Sequence, residues 1–279
     1  MPDRPSLVRG RLEPMEPRPD AFHSLVAGLT RPVRSAAAHC TTARCTTARW
    51  QERAPWLETL APRFARALEG LVEVRALPAG AVLQPGADGQ PGWIGVVQGC
   101  LSTPLPQTAG PHGALPHAAP AAPAPGLPAA AWYGEQQLLL GGSPPRVAAA
   151  VDSRVALLPG PVFRQLLLEQ PAFGRWVLQA QARRVAALQR RLTWPRRPSP
   201  DAVVALWLAE LFATADGAGD HRVTLTQAAL SRVVGLSRQR TNAALNRLRR
   251  LGELDLAYAD IRLRHPERLA QRALCGDFG

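Results

Sequence analysis

The chain has 279 residues, a length that suits two compact domains with additional tails. Its 33 basic residues outnumber its 21 acidic residues and give a formal net charge of +12. All the basic residues are arginine, so part of this excess can reflect overall composition rather than binding to nucleic acid. No segment approaches the roughly 18 consecutive apolar residues of a membrane span, which excludes the membrane-spanning class.

The N-terminal segment, residues 1–54, is rich in proline and arginine and contains a tandem CTTAR repeat at 40–44 and 45–49. It has no sustained apolar period, so we expect it to be a disordered tail. The N-terminus also lacks the apolar core of a signal peptide, and the four cysteines therefore predict a cytoplasmic protein with reduced thiols.

In the next part of the chain, a short helical pattern comes first and alternating apolar residues come after it. The pattern predicts a helix from Trp56 to about Gly70, and then strands at 72–77 and 93–97. A tract rich in proline, alanine and glycine at 102–130 cannot form regular ladders or a helix interior, so we expect a mobile loop there.

Strand patterns resume at 147–151 and 155–158, and a helix is predicted at 171–194. This helix would complete a domain that spans 55–194. Its apolar residues recur every three or four positions and form one stripe: Leu178, Ala182, Val185, Leu188 and Leu192. The stripe either pairs two subunits or packs on its own domain, and we favour the pairing of two subunits in a homodimer.

The segment WPRRPSP, residues 194–200, indicates a domain boundary. A second domain is predicted at 200–270, with a first helix from Asp201 to about Ala215 and a C-terminal tail at 271–279. Further along, two short apolar segments at 254–256 and 261–263 flank a turn and predict a two-stranded wing.

Between these elements, residues 224–254 predict two short helices joined by a sharp turn. Thr226 and Ser237 can each cap a helix N-terminus, because a hydroxyl accepts a bond from an unpaired amide. Gly235 supplies the backbone angle of the turn, and Ser231 is small where the two helices should cross. This arrangement is typical of a helix-turn-helix.

The second helix concentrates positive charge, since residues 237–250 hold five arginines and no acid. Arginine can bond guanine in bidentate fashion, and glutamine or asparagine can bond adenine. We therefore expect Arg238 and Gln239 to contact bases, while Ser237 and Arg240 contact bases or phosphates. The outward face also carries Asn242, and three further residues are expected on phosphates: Thr226, Gln227 and Arg247. The alternative is an ordinary solvated basic face.

The sequence of residues 233–254, VVGLSRQRTNAALNRLRRLGEL, resembles the recognition-helix motif of the Crp/Fnr transcription factors. Upstream, LPAGAVL at 77–83, VVQG at 96–99, and WYGE followed by PRVA at 132–148 resemble segments of the sensor of that family. The resemblance implies an α+β fold with a jelly-roll-like β-barrel sensor, a long dimerisation helix and a C-terminal winged helix-turn-helix. It also implies double-stranded DNA, a second copy of the chain and RNA polymerase as partners.

In members of this family that bind cyclic AMP, the positions matching Gly134 and Glu135 hold the ribose, and the position matching Arg146 pairs with the phosphate. The chain departs from this pattern. Gln137 stands where glycine is usual, and Val147 replaces the hydroxyl residue beside the arginine. We therefore favour another effector, or none, over a cyclic nucleotide, and we assign no cofactor. A structural role for Glu135 and Arg146 is the alternative.

One departure also falls in the recognition helix, where Ala243 replaces a second base-reading arginine, so the target sequence of the family does not transfer. The cysteines form no C-x-x-C motif and the histidines are scattered, which argues against an iron-sulfur cluster or another metal site. No catalytic motif is present, so we predict no enzyme. The rival to a DNA-binding regulator is a ligand-binding or protein-interaction module whose winged helix contacts protein.

Overall fold

The computed structural model describes residue 22 and residues 49–83, 92–103, 126–141, 146–192, 198–213 and 221–278. Most of the expected tail, most of the expected loop and much of the linker after the long helix lie outside these residues.

The N-terminal domain contains two four-stranded antiparallel sheets. In chain order the strands are β1 Glu73–Leu77, β2 Val82–Leu83, β3 Gly92–Gln98, β4 Cys100–Ser102, β5 Gly126–Pro128, β6 Trp132–Tyr133, β7 Val147–Ala149 and β8 Ser153–Pro159. The first sheet has the order β1-β8-β3-β6, and the second has the order β2-β7-β4-β5. A shared aliphatic core joins Ile94 and Val155 of the first sheet to Leu101 and Val147 of the second. Two facing antiparallel sheets confirm the jelly-roll-like fold predicted for this domain, for which we keep the name sensor.

Among residues 49–192, the described parts of the chain place these helices beside the sheets: α1 Pro62–Ala67, α2 Glu135–Leu140, α3 Gly160–Glu169 and α4 Pro171–Leu192. The expected continuous helix from Trp56 to Gly70 is wrong. Its place is taken by two 3-10 turns, Pro55–Thr59 and Leu68–Gly70, on either side of α1. Proline explains the interruption, because Pro62 has no amide hydrogen for a helix interior and instead begins α1.

Aromatic rings pack together between the first sheet and the helices beside it. Trp56, Trp93, Trp132 and Phe173 are each at most 1% exposed, and the Trp56 and Trp132 ring centroids lie 5.0 Å apart. Phe22 packs on Phe64 at 4.7 Å, and a 3-10 turn at Trp50–Arg53 buries Trp50 in the same cluster. The expectation of a disordered tail up to residue 54 is therefore wrong for residue 22 and residues 49–54, because burial of the Phe22 and Trp50 rings favours an ordered conformation there.

Gly95 lies on β3 where the strand passes the Trp132 ring. A Cβ at this position would lie 2.6 Å from the indole, which is fixed within the aromatic cluster. We expect Gly95→Ala to lower the free energy of unfolding by about 1–3 kcal/mol through overpacking, as measured by urea denaturation. Gly70→Ala is the control, since its added carbon would meet no atom within 4 Å. Equal stability of the two variants would contradict the packing described.

Part of the expected mobile loop is a strand. Residues 126–128 form β5, and its register on β4 pairs Leu127 with Leu101 and Pro128 with Cys100. The prediction of a loop is wrong for these residues because a proline fits a strand at the edge of a sheet, and β5 is such an edge strand.

The C-terminal domain begins with helix α5, Pro200–Ala213, and continues with strand β9, Arg222–Thr224. The remaining elements are α6 Gln227–Val234, α7 Arg238–Arg250, β10 Leu254–Ala257, β11 Asp260–Leu263 and α8 Pro266–Cys275. The expected tail at 271–279 is wrong for its first residues, because α8 extends through them and Phe278 is buried. The buried carboxylate of Glu253 lies 3.3 Å from Arg272 of α8 and joins that helix to the wing.

Candidate nucleic-acid interface

The turn between α6 and α7 has the geometry that the sequence predicts. Gly235 adopts a φ of 71°, in the left-handed region that glycine occupies without strain. The next amide, of Leu236, bonds back to the carbonyl of Ser231 at 3.1 Å and closes the C-terminus of α6. Ser231 is buried, as expected for a small residue at the helix crossing. Together these features fix the angle between the two helices.

Both predicted caps are confirmed. The Thr226 hydroxyl oxygen accepts a hydrogen bond from the Ala229 amide at 3.1 Å, and the Ser237 hydroxyl oxygen accepts one from the Arg240 amide at 3.3 Å. Each hydroxyl accepts at its oxygen, so its hydrogen remains for donation. A phosphate oxygen is a suitable acceptor, because helix N-termini favour anions.

Helix α7 presents two different faces. Its inner face is buried and carries Thr241, Ala244, Leu245 and Leu248. The predicted contact residues on its outer face are all exposed: Ser237, Arg238, Gln239, Arg240, Asn242 and Arg247. Thr226 and Gln227 of the first helix are exposed as well. The sequence-predicted residues therefore form one polar surface with strong positive charge, which we call the basic face.

Some members of the basic face already have protein partners. Arg247 donates from Nη1 to Oδ2 of Asp201, at the start of α5, over 3.2 Å. The Asn246 amide donates to the side-chain oxygen of Asn242 over 3.0 Å. A groove of about 270 Å³ runs between α5 and α7 and is lined by Arg240, Arg247 and Arg250, among others. The Asp201 contact holds Arg247 at the edge of this groove.

The wing is also present. Strands β10 and β11 pair in an antiparallel register that sets Ala257 opposite Asp260, and Tyr258 at the tip is fully exposed. Strand β9 adds a third strand beside β11, which the sequence patterns did not indicate. An ion pair of 2.6 Å between Arg222 of β9 and Asp260 of β11 links these two strands.

The four residues suggested for an effector do not share one environment. Gly134 takes a φ of 108° before α2, and Val147 is buried in the barrel core. Glu135 is buried, with a side chain 2% exposed, whereas Arg146 is exposed. A nucleotide site would need both charges directed at one ligand, and their contrasting burial gives no support for that arrangement.

The carboxylate of Glu135 instead joins α2 to the long helix α4. It forms an ion pair with Arg184, accepts from the Gln181 amide, and accepts from the Trp93 indole nitrogen at 3.1 Å. Arg184 also donates to the Trp132 carbonyl and lies over the Tyr133 ring, 5.5 Å from its centroid. Burial lowers the pKa of Arg184 to about 10, which leaves the guanidinium charged at neutral pH.

Sequence reasoning missed this role for Arg184. On the sequence it stands beside the apolar stripe, where arginine is usually solvated, and no local pattern connects it to Glu135.

The two cysteines that the structure describes differ in burial. Within the described ranges, Cys100 is buried and Cys275 is exposed, and no cluster of metal ligands occurs. Across the same ranges, none of the helices has the length and apolar character for a membrane crossing.

Comparison with known proteins bears on the C-terminal domain. Residues 204–272 match the model of the Crp-like helix-turn-helix domain, a span that runs from α5 into α8. No curated protein matches the sequence.

Several solved structures resemble larger parts of the chain. The catabolite activator protein of Thermus thermophilus is 18% identical, with 80% of this chain and 99% of that one covered and a TM-score of 0.37. FixK2 from Bradyrhizobium japonicum is 18% identical, with 72% and 96% covered and a TM-score of 0.46. A second protein of Thermus thermophilus, a CRP/FNR-family transcriptional regulator, is 21% identical, with 74% and 100% covered and a TM-score of 0.39.

These low identities carry no functional conclusion, so the assignment depends on the domain match and on the geometry it spans. The matched residues include the two helices, the glycine turn, both caps and the wing. The chain therefore carries a Crp-like helix-turn-helix domain, the DNA-binding unit of Crp/Fnr-type transcription regulators.

Proposed function

We propose that the protein is a dimeric, sequence-specific transcription regulator that inserts two copies of α7 into successive major grooves of duplex DNA. The observation that carries this proposal is the basic face, where the exposed first turn of α7 presents Arg238, Gln239 and Arg240 outward. Bound beside a promoter, such a dimer would meet RNA polymerase, which we include as a further partner. The role is regulatory rather than catalytic, and it places the protein in the cytoplasm with bacterial DNA.

The composition of the basic face favours DNA over a protein partner. A winged helix that binds protein should present an exposed apolar patch at this place. Helix α7 presents five exposed arginines instead, while its apolar residues are turned into the domain core. Positive charge without apolar area suits a phosphate backbone, because each neutralised phosphate releases counterions.

Arg247 provides a test of this electrostatic argument. Each lost phosphate contact changes the slope of log affinity against log salt by about 0.9, so Arg247→Ala should make the slope of a dimer shallower by about 2. Fluorescence anisotropy with a labelled duplex, repeated over a range of salt concentrations, measures the slope. Arg175→Ala is the matched control, since Arg175 is an exposed arginine on α4 outside the basic face. Identical slopes for the wild type, Arg247→Ala and Arg175→Ala would contradict phosphate binding by Arg247.

The dimer is supported by the two faces of α4. Phe173, Val177 and Ala187 of this helix are buried. The stripe predicted from sequence lies elsewhere on the helix, with Leu178 70%, Val185 49% and Leu188 48% exposed. Since these three apolar side chains remain about half exposed or more among the described residues, a second copy of α4 is the occupant we propose, as in a two-stranded coiled coil.

Charged residues placed in the stripe, between the two copies of α4, should separate the subunits. We expect Leu178→Glu with Val185→Glu to raise the dimer dissociation constant by at least ~100-fold, because burying unpaired carboxylates costs several kcal/mol. Sedimentation velocity measures the dissociation constant. Gln179→Glu adds a carboxylate at an exposed position of α4 outside the stripe and should leave the dimer intact. A wild-type protein that sediments as a monomer at all concentrations would contradict the dimer.

We further propose that Glu135 anchors α4 to the sensor and is not held for a ligand ribose. Both oxygens of its carboxylate already accept hydrogen bonds, from Gln181 and from Trp93. The barrel interior is occupied by aliphatic side chains from both sheets. These contacts favour an effector other than a cyclic nucleotide, or none.

A further inference from the structure

Helix α5 is buried on all sides. Every residue from Ala202 to Leu211 is less than 9% exposed, which is unusual for the first helix of a small domain. One part of its surface contacts α6, α7 and α8, and another part contacts strand β5 of the sensor. A helix whose surface is buried all round must pack against neighbours on every side. Here the sensor provides some of those neighbours.

The fit between β5 and α5 depends on Gly126. A Cβ at this residue would lie 2.6 Å from Cδ1 of Leu211 and 2.7 Å from Cζ2 of Trp207. The φ of Gly126 is outside the left-handed region, so the backbone conformation does not require glycine. Glycine is required instead by the close approach of the strand to the helix.

Two further features join the domains at the same place. Cys100 and Ala150 of the sensor belong to one continuous buried cluster with Trp207 and Leu211 of α5. Arg232 of α6 donates from Nη2 to the Ala150 carbonyl over 3.4 Å. We call the set of Gly126, Trp207, Leu211 and the Arg232–Ala150 bond the docking contact.

The docking contact leaves the basic face open, because Ser237, Arg238 and Gln239 are exposed while the domains are joined. Helix α5 packs directly on α7, and Asp201 of α5 binds Arg247 of α7. Fixing α5 against the sensor therefore fixes the direction of α7 relative to the long helix α4. In a dimer this direction sets the distance between the two recognition helices.

We propose that Gly126 and Arg232 are positioning residues, which hold the helix-turn-helix domain on the sensor and thereby set the half-site spacing that the dimer accepts. This inference depends on the proposed DNA-binding function. Neither residue needs to contact DNA, since both act through the placement of α5 and α7. Loss of the docking contact should leave the half-site sequence unchanged and relax the spacing.

The first experiment measures docking without DNA. Cys100 lies in the docking cluster and is completely buried, and burial raises the pKa of its thiol to about 12. In a full chain with Cys40, Cys45 and Cys275 replaced by serine, Cys100 should react slowly with a thiol reagent. We expect Gly126→Leu to accelerate the reaction by about 10-fold or more, since reaction requires exposure of the thiol. Gly70→Leu is the control, because no atom lies within 4 Å of a Cβ there.

The second experiment measures spacing. A duplex library carries the same two half-sites at varied separations, and binding to each spacing is compared for the parent, Gly126→Leu, Arg232→Ala and Gly70→Leu. We expect the parent and Gly70→Leu to prefer one spacing. The other two variants should lose about 10-fold in affinity at that spacing, while their affinity for a single half-site stays within about 2-fold of the parent.

The two experiments distinguish the positioning role from the proposed DNA-binding function. Arg232→Ala keeps the test valid if Gly126→Leu fails to fold by circular dichroism, because Arg232 is exposed and outside the core. A protected Cys100 in folded Gly126→Leu, or an unchanged spacing preference in both variants, overturns the inference. If the parent binds no duplex, the proposed function and the positioning role fail together, while the thiol reaction still decides whether the domains dock.

Discussion

Replacing Arg238 and Gln239 by alanine should remove the sequence preference of DNA binding. Both side chains are exposed in the first turn of α7, the part of a recognition helix that reaches base edges. A bidentate contact to a base contributes about 1–3 kcal/mol of discrimination, and a dimer loses four such contacts. The affinity for a specific site should therefore fall by at least about 1000-fold, as measured by fluorescence anisotropy.

The matched control is Arg249→Ala with Arg250→Ala. These arginines are also exposed on α7, but they lie at its C-terminal end. Removing them should weaken binding to all sequences by a similar factor and leave the preferred sequence unchanged, because base edges are contacted mainly from the N-terminal end of a recognition helix. If both double variants retain the same sequence preference, the first turn of α7 does not read bases.

The second large effect concerns the buried ion pair in the sensor. Arg184→Met leaves the Glu135 carboxylate buried without its charged partner, and this should lower the free energy of unfolding by about 3–5 kcal/mol in urea denaturation. Arg175→Met removes an exposed arginine from the same helix and should change stability by less than about 0.5 kcal/mol.

A double-mutant cycle gives the coupling within this pair. Combining Glu135→Gln with Arg184→Met removes both charges together, so the double variant should lose less stability than the sum of the single variants. Additive losses would show that Glu135 and Arg184 do not interact in solution. The hydrogen bonds from Gln181 and Trp93 would then be the contacts that satisfy this buried carboxylate.

The helix-turn-helix could be predicted in detail because its determinants are local. The caps Thr226 and Ser237, the glycine at 235 and the apolar period all fall within one short segment, and each specifies backbone geometry by itself. The wing follows from local alternation in the same way. The sequence prediction and the structure agree closely in these features, although each strand of the wing is one residue longer than predicted.

The sensor was less predictable because its determinants are distant in sequence. Arg184 finds its partner Glu135 only after α4 packs against the barrel, and Phe22 reaches Phe64 across an intervening segment without regular pattern. Gly126 lies in a tract whose composition indicates a loop, yet pairing with β4 makes it part of a strand. Such contacts depend on tertiary packing, which overrides local propensity.

The central claim is that the protein recognises a specific duplex sequence as a two-fold dimer. Selection from a random duplex pool by the purified full chain, with sequencing of the retained DNA, tests it most directly. We expect a two-fold symmetric motif with half-sites about one helical turn apart, and we expect Arg238→Ala with Gln239→Ala to abolish it. Retention of DNA without any common motif, or of a motif that survives this double substitution, would contradict the claim.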